Sequence, residues 1–182
     1  VCLWTLTVAG QKMPYKNQSI SVDKRVEDLL KRMTIEEKIG QLMQPVLEGD
    51  KQALLEQLRQ GRVGSFCVTK YDFPSVSLRD ELQRAAIEES RLGIPVIFGF
   101  DVIHGFRTLF PIPLGLSASW EPELARQSAE IAAYEARIAG IDLTFSPMVD
   151  VSRDARWGRI SECFGEDTYL NALFGQAFVR GY

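Results

Sequence analysis

Apolar residues recur at helical spacing through Val22, Val26, Leu29, Leu30 and Met33. The pattern breaks at Thr34, a fitting N-cap, and Glu37 stands three residues on, as a capping box requires. Ile35, Ile39, Leu42 and Met43 then give the apolar face of a second short helix, and Leu54, Leu55 and Leu58 mark a third, stopped by Gly61. From there strand and helix alternate. Val63 to Val68 reads as a strand. Ser77 caps a helix whose face is Leu78, Leu82, Ala85 and Ala86, with Gly93 at its end. Pro95 to Phe100 is a continuous apolar run that suits a strand covered on both faces. Pro122 opens a helix closed by Gly140, Ile141 to Val149 reads as the next strand, and Asp167 to Tyr182 as another helix.

Strands alternating with helices mean parallel βα units. Two α/β architectures fit: an open doubly wound sheet, or part of a (β/α)8 barrel. Three units are too few to close a barrel of ~250 residues. No G-x-G-x-x-G follows a strand and no G-x-x-x-x-G-K-[ST] occurs, which lowers the nucleotide-binding readings.

Composition narrows the classes. The 182 residues are 46% hydrophobic and 25% charged, ordinary for a globular domain. The net charge of −3 argues against nucleic acid as partner, and no run of ~18 apolar residues is present to span a membrane. Three widely spaced cysteines make neither a disulfide framework nor a zinc site, and the single His104 lacks the partners a metal needs. Val1 to Gly10 is apolar and small before Gln11-Lys12 turns polar. It resembles the end of a secretory leader with a cleavage site near Val8-Ala9-Gly10. Residues 1–11 are therefore assigned to a signal-peptide remnant and 12–182 to an incomplete barrel. A periplasmic or secreted location follows as an expectation.

Ligands of parallel α/β folds bind at the carboxyl ends of strands. Three polar clusters fall there: Gly99 to Gly105, Ser146 to Val151, and the loop Arg153-Asp154-Ala155-Arg156-Trp157-Gly158-Arg159 followed by Glu162, Glu166 and Asp167. A carboxylate at Asp101 is able to accept hydrogen bonds from vicinal hydroxyls, as a sugar offers. It fits equally a turn cap or an ion-pair partner for Arg107, and the residues alone leave these readings open. His104 suits a hydroxyl or backbone hydrogen bond that fixes its loop. The charged loop reads first as a self-paired network, with one guanidinium free to donate a planar fork. Trp157 is either a buried anchor of that loop or a surface for stacking on a sugar. Cys67 reads as an inert buried thiol.

Taken in order, these segments resemble glycoside hydrolase family 3, in its bacterial periplasmic β-glucosidase form. The carrying stretches are Val26 to Leu42, Gly93 to Val96, Asp101-Val102-Ile103-His104-Gly105, Thr108 to Pro111, Leu114 to Trp120, Phe145 to Asp150, and Arg153 to Arg159 with Glu162, Gly165, Glu166 and Asp167. The resemblance implies the N-terminal part of a (β/α)8 barrel that takes a β-glucoside or oligosaccharide and needs no cofactor or metal. It implies that Asp101 and Arg159 bind the innermost sugar, with His104, Arg107 and Trp157 as pocket support. The nucleophile and the acid/base of the retaining reaction fall beyond Tyr182, so no catalytic carboxylate lies within this chain. Some relatives bracket the Arg-Trp loop with a disulfide. Ser152 and Ile160 occupy those places, so that bond is absent. N-acetylhexosaminidase-type members carry an Asp-Gln-Glu-Gly motif at Asp101, and xylosidase-type members tend to carry Glu there; both are disfavoured.

Overall fold

The computed structural model describes residues 13–69 and 75–182. The leader assignment to residues 1–11 lies outside them. Among the described residues, seven α-helices and three strands follow one another: α1 Val22–Arg32, α2 Ile35–Leu42, α3 Lys51–Arg59, β1 Ser65–Val68, α4 Val76–Glu88, β2 Ile97–Phe100, α5 Pro113–Ser117, α6 Pro122–Ala139, β3 Leu143–Thr144 and α7 Thr168–Gly181. Short 3-10 turns form at Pro14–Lys16 and Ile160–Glu162.

Local chemistry sets the helix ends. The expected capping box at α2 is complete: Glu37 N–H donates to Thr34 Oγ1 at 3.2 Å, and Thr34 N–H donates to Glu37 Oε2 at 2.9 Å. Asp50 caps α3 through Ala53 N–H at 2.9 Å, and Asp167 caps α7 through Leu170 N–H at 2.6 Å. Gly140 ends α6 with φ +89°, a left-handed conformation that costs glycine nothing. The Arg79 guanidinium fills the space a side chain would take there and donates to the Ala139 carbonyl.

The three strands form one parallel sheet in the order β1-β2-β3. Cys67 pairs with Gly99, and Gly99 with Leu143. A bridge from Val46 to Cys67 adds one further step on the outer side of β1, with Leu47 N–H donating to Cys67 O at 2.8 Å. Alternation sends Phe66, Val68, Phe98 and Phe100 to one face. There they pack with Leu54 and Leu58 of α3, Leu82 and Ala85 of α4, and Ala132 and Ala136 of α6. The Phe66 and Phe98 rings stack at 6.1 Å between centroids. A second cluster of Phe164, Phe174 and Phe178 closes over Ala125 and Ala129 where α7 meets α6. Ser65, Cys67, Ile97, Gly99 and Leu143 share the opposite face, and the Phe145 ring lies over Gly99.

Several expected boundaries shift for identifiable reasons. The cap of α4 is Ser75, whose Oγ accepts from Leu78 N–H; Ser77 sits inside the helix, 2.9 Å from Ser75 Oγ. The helix stops at Glu88, and Gly93 turns the chain afterwards with φ +64°. β2 starts at Ile97 because Gln83 takes both backbone groups of Val96, its amide donating to Val96 O at 2.6 Å and accepting from Val96 N–H at 3.2 Å. The expected strand from Ile141 to Val149 shrinks to Leu143–Thr144, with Asp142 and Phe145 adding single bonds to β2. Pro147 has no N–H to give a ladder, and its peptide bond with Ser146 is cis.

Candidate functional site

Asp101 follows β2 directly. Continuing the alternation of Ile97 and Gly99 puts it on the sheet face away from the helices, at the carboxyl end of the strand. The residue is exposed. Its charge reaches three groups around it. Burial first, then Asp101, pushes the Cys67 thiol up. The Tyr182 phenol is raised by burial foremost and, more weakly, by Asp101, against hydrogen bonding to Ser146 and Thr144. Arg159 is the third: its guanidinium is held protonated by Glu162 above all, with Asp101 and Asp150 adding attraction.

The loop that carries Arg159 is closed at its base. Ser152 N–H donates to Gly165 O at 3.0 Å, and Ser152 Oγ meets the fully buried Cys163 thiol. Cys163 Sγ also reaches Ile160 O at 3.2 Å, and Cys67 and Cys163 are both free thiols. Asn171 of α7, buried, donates from Nδ2 to Asp150 O at 2.7 Å. The absence of a side chain at Gly175 lets Val149 approach the same helix. Tyr182 donates its hydroxyl to Val102 O at 2.5 Å, joining the end of α7 to the end of β2. Between these anchors the loop is self-paired, as its charges lead one to expect. Arg156 folds back on Asp154, and Arg159 on Glu162.

The expected site residues are therefore not all in one place. Arg159 pairs with Glu162 and feels the charge of Asp101 and Asp150, while the Glu162 carboxyl is held low by Arg159 first, with His104 contributing. His104 keeps a buried Nδ1 without a hydrogen-bond partner among the described residues, and its carbonyl accepts from Phe110 N–H at 2.8 Å. Arg107 does not pair with Asp101. Its N–H donates to Glu135 Oε2 of α6 at 2.9 Å, next to Thr108, which gives Glu135 both its N–H and its hydroxyl. Trp157 is half-buried, and Cys67 is partly exposed rather than buried, because it faces the uncovered side of the sheet. A cleft of about 550 Å³ lies beside α1, and one of about 540 Å³ lies between Trp120 and the base of the Arg159 loop at Ser152, Ile160 and Glu166; neither is lined by Asp101, His104 or Arg159. The strand-end groups instead form an open wall.

Sequence reasoning missed Glu135, Asn171 and the role of Glu162. Only the last left a signal, the spacing of Arg159 and Glu162, which suits one turn of helix. No three His, Cys, Asp or Glu residues among those described lie together in a way that suits a metal ion. No described helix is long and apolar enough to cross a membrane.

The chain as a whole is similar to known proteins. A periplasmic β-glucosidase of Salmonella typhimurium is 46% identical over 162 residues, 87% of this chain and 20% of its own length. A putative β-xylosidase of Formosa agariphila is 34% identical over 94% of this chain and 25% of its own. The chain thus spans a fifth to a quarter of the length of these relatives. The β-glucosidase of Listeria innocua solved in complex with isofagomine superposes with a TM-score of 0.75 at 40% identity, over 90% of this chain and 23% of that one. Residues 34–182 match the family described as Glycosyl hydrolase family 3 N terminal domain. With most of its length inside that match, the chain belongs to glycosyl hydrolase family 3.

Proposed function

We propose that this chain supplies the sugar-holding wall of a retaining glycosidase that removes terminal non-reducing β-D-glucosyl residues from β-glucosides and oligosaccharides. The observation that carries the reading is Asp101, an exposed carboxylate at a parallel strand end whose field reaches the paired Arg159. A carboxylate accepts from two vicinal hydroxyls and a guanidinium donates to a third, so together they fix one face of a pyranose ring. Bonds of this kind raise the rate when they tighten as the ring distorts toward the transition state.

Retaining glycosidases set two carboxyl groups ~5–5.5 Å apart, one attacking the anomeric carbon and one protonating the leaving oxygen. Asp101 takes neither role. Both carboxylates come from polypeptide outside residues 1–182, and residues 12–182 serve as the first part of the barrel domain. A periplasmic or secreted location accompanies this reading, in keeping with the relative from Salmonella typhimurium.

A second reading, β-xyloside hydrolysis, is favoured by the relative from Formosa agariphila. Hydrolysis of aryl β-glucoside and aryl β-xyloside by the longer protein separates the two. The proposal expects a clear preference for glucoside and a product first released as the β-anomer in proton NMR. A preference for xyloside, or release of the α-anomer, overturns it.

A further inference from the structure

Arg159 stands at the N-terminal end of the 3-10 turn Ile160–Glu162, and Glu162 N–H donates to Arg159 O at 3.0 Å. That single turn brings the Glu162 side chain back beneath the guanidinium. Arg159 Nε lies 3.1 Å from Oε1 and 3.0 Å from Oε2, and Nη2 also donates to Oε2. One edge of the guanidinium fork is thereby taken. Its Nη1 makes no hydrogen bond among the described residues and stays open to a ligand.

The turn is anchored on its C-terminal side, where Cys163 and Phe164 are fully buried. Glu162 is also the more enclosed partner, its side chain 27% exposed against 52% for Arg159. Asp101 and Asp150 also attract this guanidinium. An arginine released from Glu162 has two carboxylates to collapse onto. A bidentate pair with Asp101 occupies the very groups that a sugar needs.

We propose that Glu162 is a positioning residue: it holds Arg159 by one edge of its fork, keeps it off Asp101 and Asp150, and leaves both Asp101 and the open Nη1 edge free for sugar hydroxyls. This rests on the sugar-binding role proposed above for Asp101 and Arg159. His104, whose field reaches Glu162, favours its charged form, after Arg159. Glu162 itself makes no contact with substrate in this arrangement.

A double-mutant cycle in the longer protein tests it, with kcat/KM on an aryl β-glucoside and inhibition by glucose as readouts. Glu162→Ala is expected to lower kcat/KM about tenfold or more and to weaken glucose inhibition in parallel. In an Arg159→Ala background the same change is expected to matter less than twofold, because the group it positions is gone. Glu162→Gln, which keeps the shape and loses the charge, serves where Glu162→Ala fails to fold, and it is expected to behave alike. Equal losses in both backgrounds, or a Glu162→Gln enzyme within twofold of the parent, overturn the positioning role. If Asp101→Ala and Arg159→Ala themselves stay within tenfold of the parent, the sugar-binding reading falls instead. Losses there with additive Glu162 effects sink the positioning role alone.

Discussion

Asn171 ties α7 to the loop that presents Asp150 and Arg159, so its replacement tests whether the helix organises the site. The side chain is 2% exposed, and its one hydrogen bond runs from Nδ2 to Asp150 O at 2.7 Å. Asn171→Ala removes that bond, worth about 1 kcal/mol net. Lost packing adds about 1 kcal/mol, comparable to an Ile→Val truncation in a core. The sum of about 2 kcal/mol lowers Tm by ~4–8 °C in a domain of 150–250 residues. Asn171→Leu loses the same bond but fills the site with the same number of heavy atoms, branched at the same carbon and somewhat bulkier. It also removes Oδ1, a buried acceptor without a partner among the described residues. Leucine is therefore expected to cost about half as much as alanine. Thermal unfolding of the longer protein, followed by tryptophan fluorescence, reads both variants. A shift below about 2 °C for alanine, or a larger loss for leucine than for alanine, refutes the reasoning.

Further outcomes follow from the same contacts. Gly140→Ala places a side chain at φ +89° and against the Arg79 guanidinium, so a loss of at least ~1 kcal/mol is expected from denaturant unfolding. Glu37 pairs with Arg91 and is held below its ordinary value of 4.5, chiefly by that hydrogen bond. A lowered carboxyl pKa stabilises above the unfolded value, so this contribution is present above about pH 4.5 and is lost as pH falls through the folded pKa. Glu37→Gln should flatten stability against pH below that point, and an unchanged acid profile would count against the pair. The 182-residue chain by itself is expected to bind a hydrophobic dye and to leave aryl β-glucosides intact. Ile97 and Leu143 stand 46% and 41% exposed on the bare sheet face, and Leu42 of α2 is 85% exposed. Turnover by that chain alone would contradict the assignment of both catalytic carboxylates to other polypeptide.

What was legible in the sequence was local. The box of Thr34 and Glu37, Pro122 at the start of α6 and Gly140 at its end depend on neighbours within a few residues, and all three form as expected. The α/β order of strand and helix also holds. Errors arose where two local signals competed or a distant group intervened. Ser75 and Ser77 precede the same apolar run, and only the backbone shows which one caps. β2 is shortened by Gln83, thirteen residues away in sequence, whose amide binds Val96. Asp101 was readable because strand alternation and strand-end position are sequence properties. Glu135 and Asn171 were not, since each meets its loop across 20 to 30 residues and carries no motif of its own. The alternative of an Asp101–Arg107 ion pair stayed open in the sequence for the same reason: the Arg107 loop is held by α6.

The central claim is that Asp101 at the end of β2 holds the sugar to be released. Its most direct test is kcat/KM on an aryl β-glucoside for Asp101→Ala in the longer protein, with correct folding checked by circular dichroism. Two hydrogen bonds from sugar hydroxyls to a carboxylate predict a loss of about a hundredfold or more. A loss under tenfold, ~1.4 kcal/mol, would place the sugar elsewhere and contradict the account.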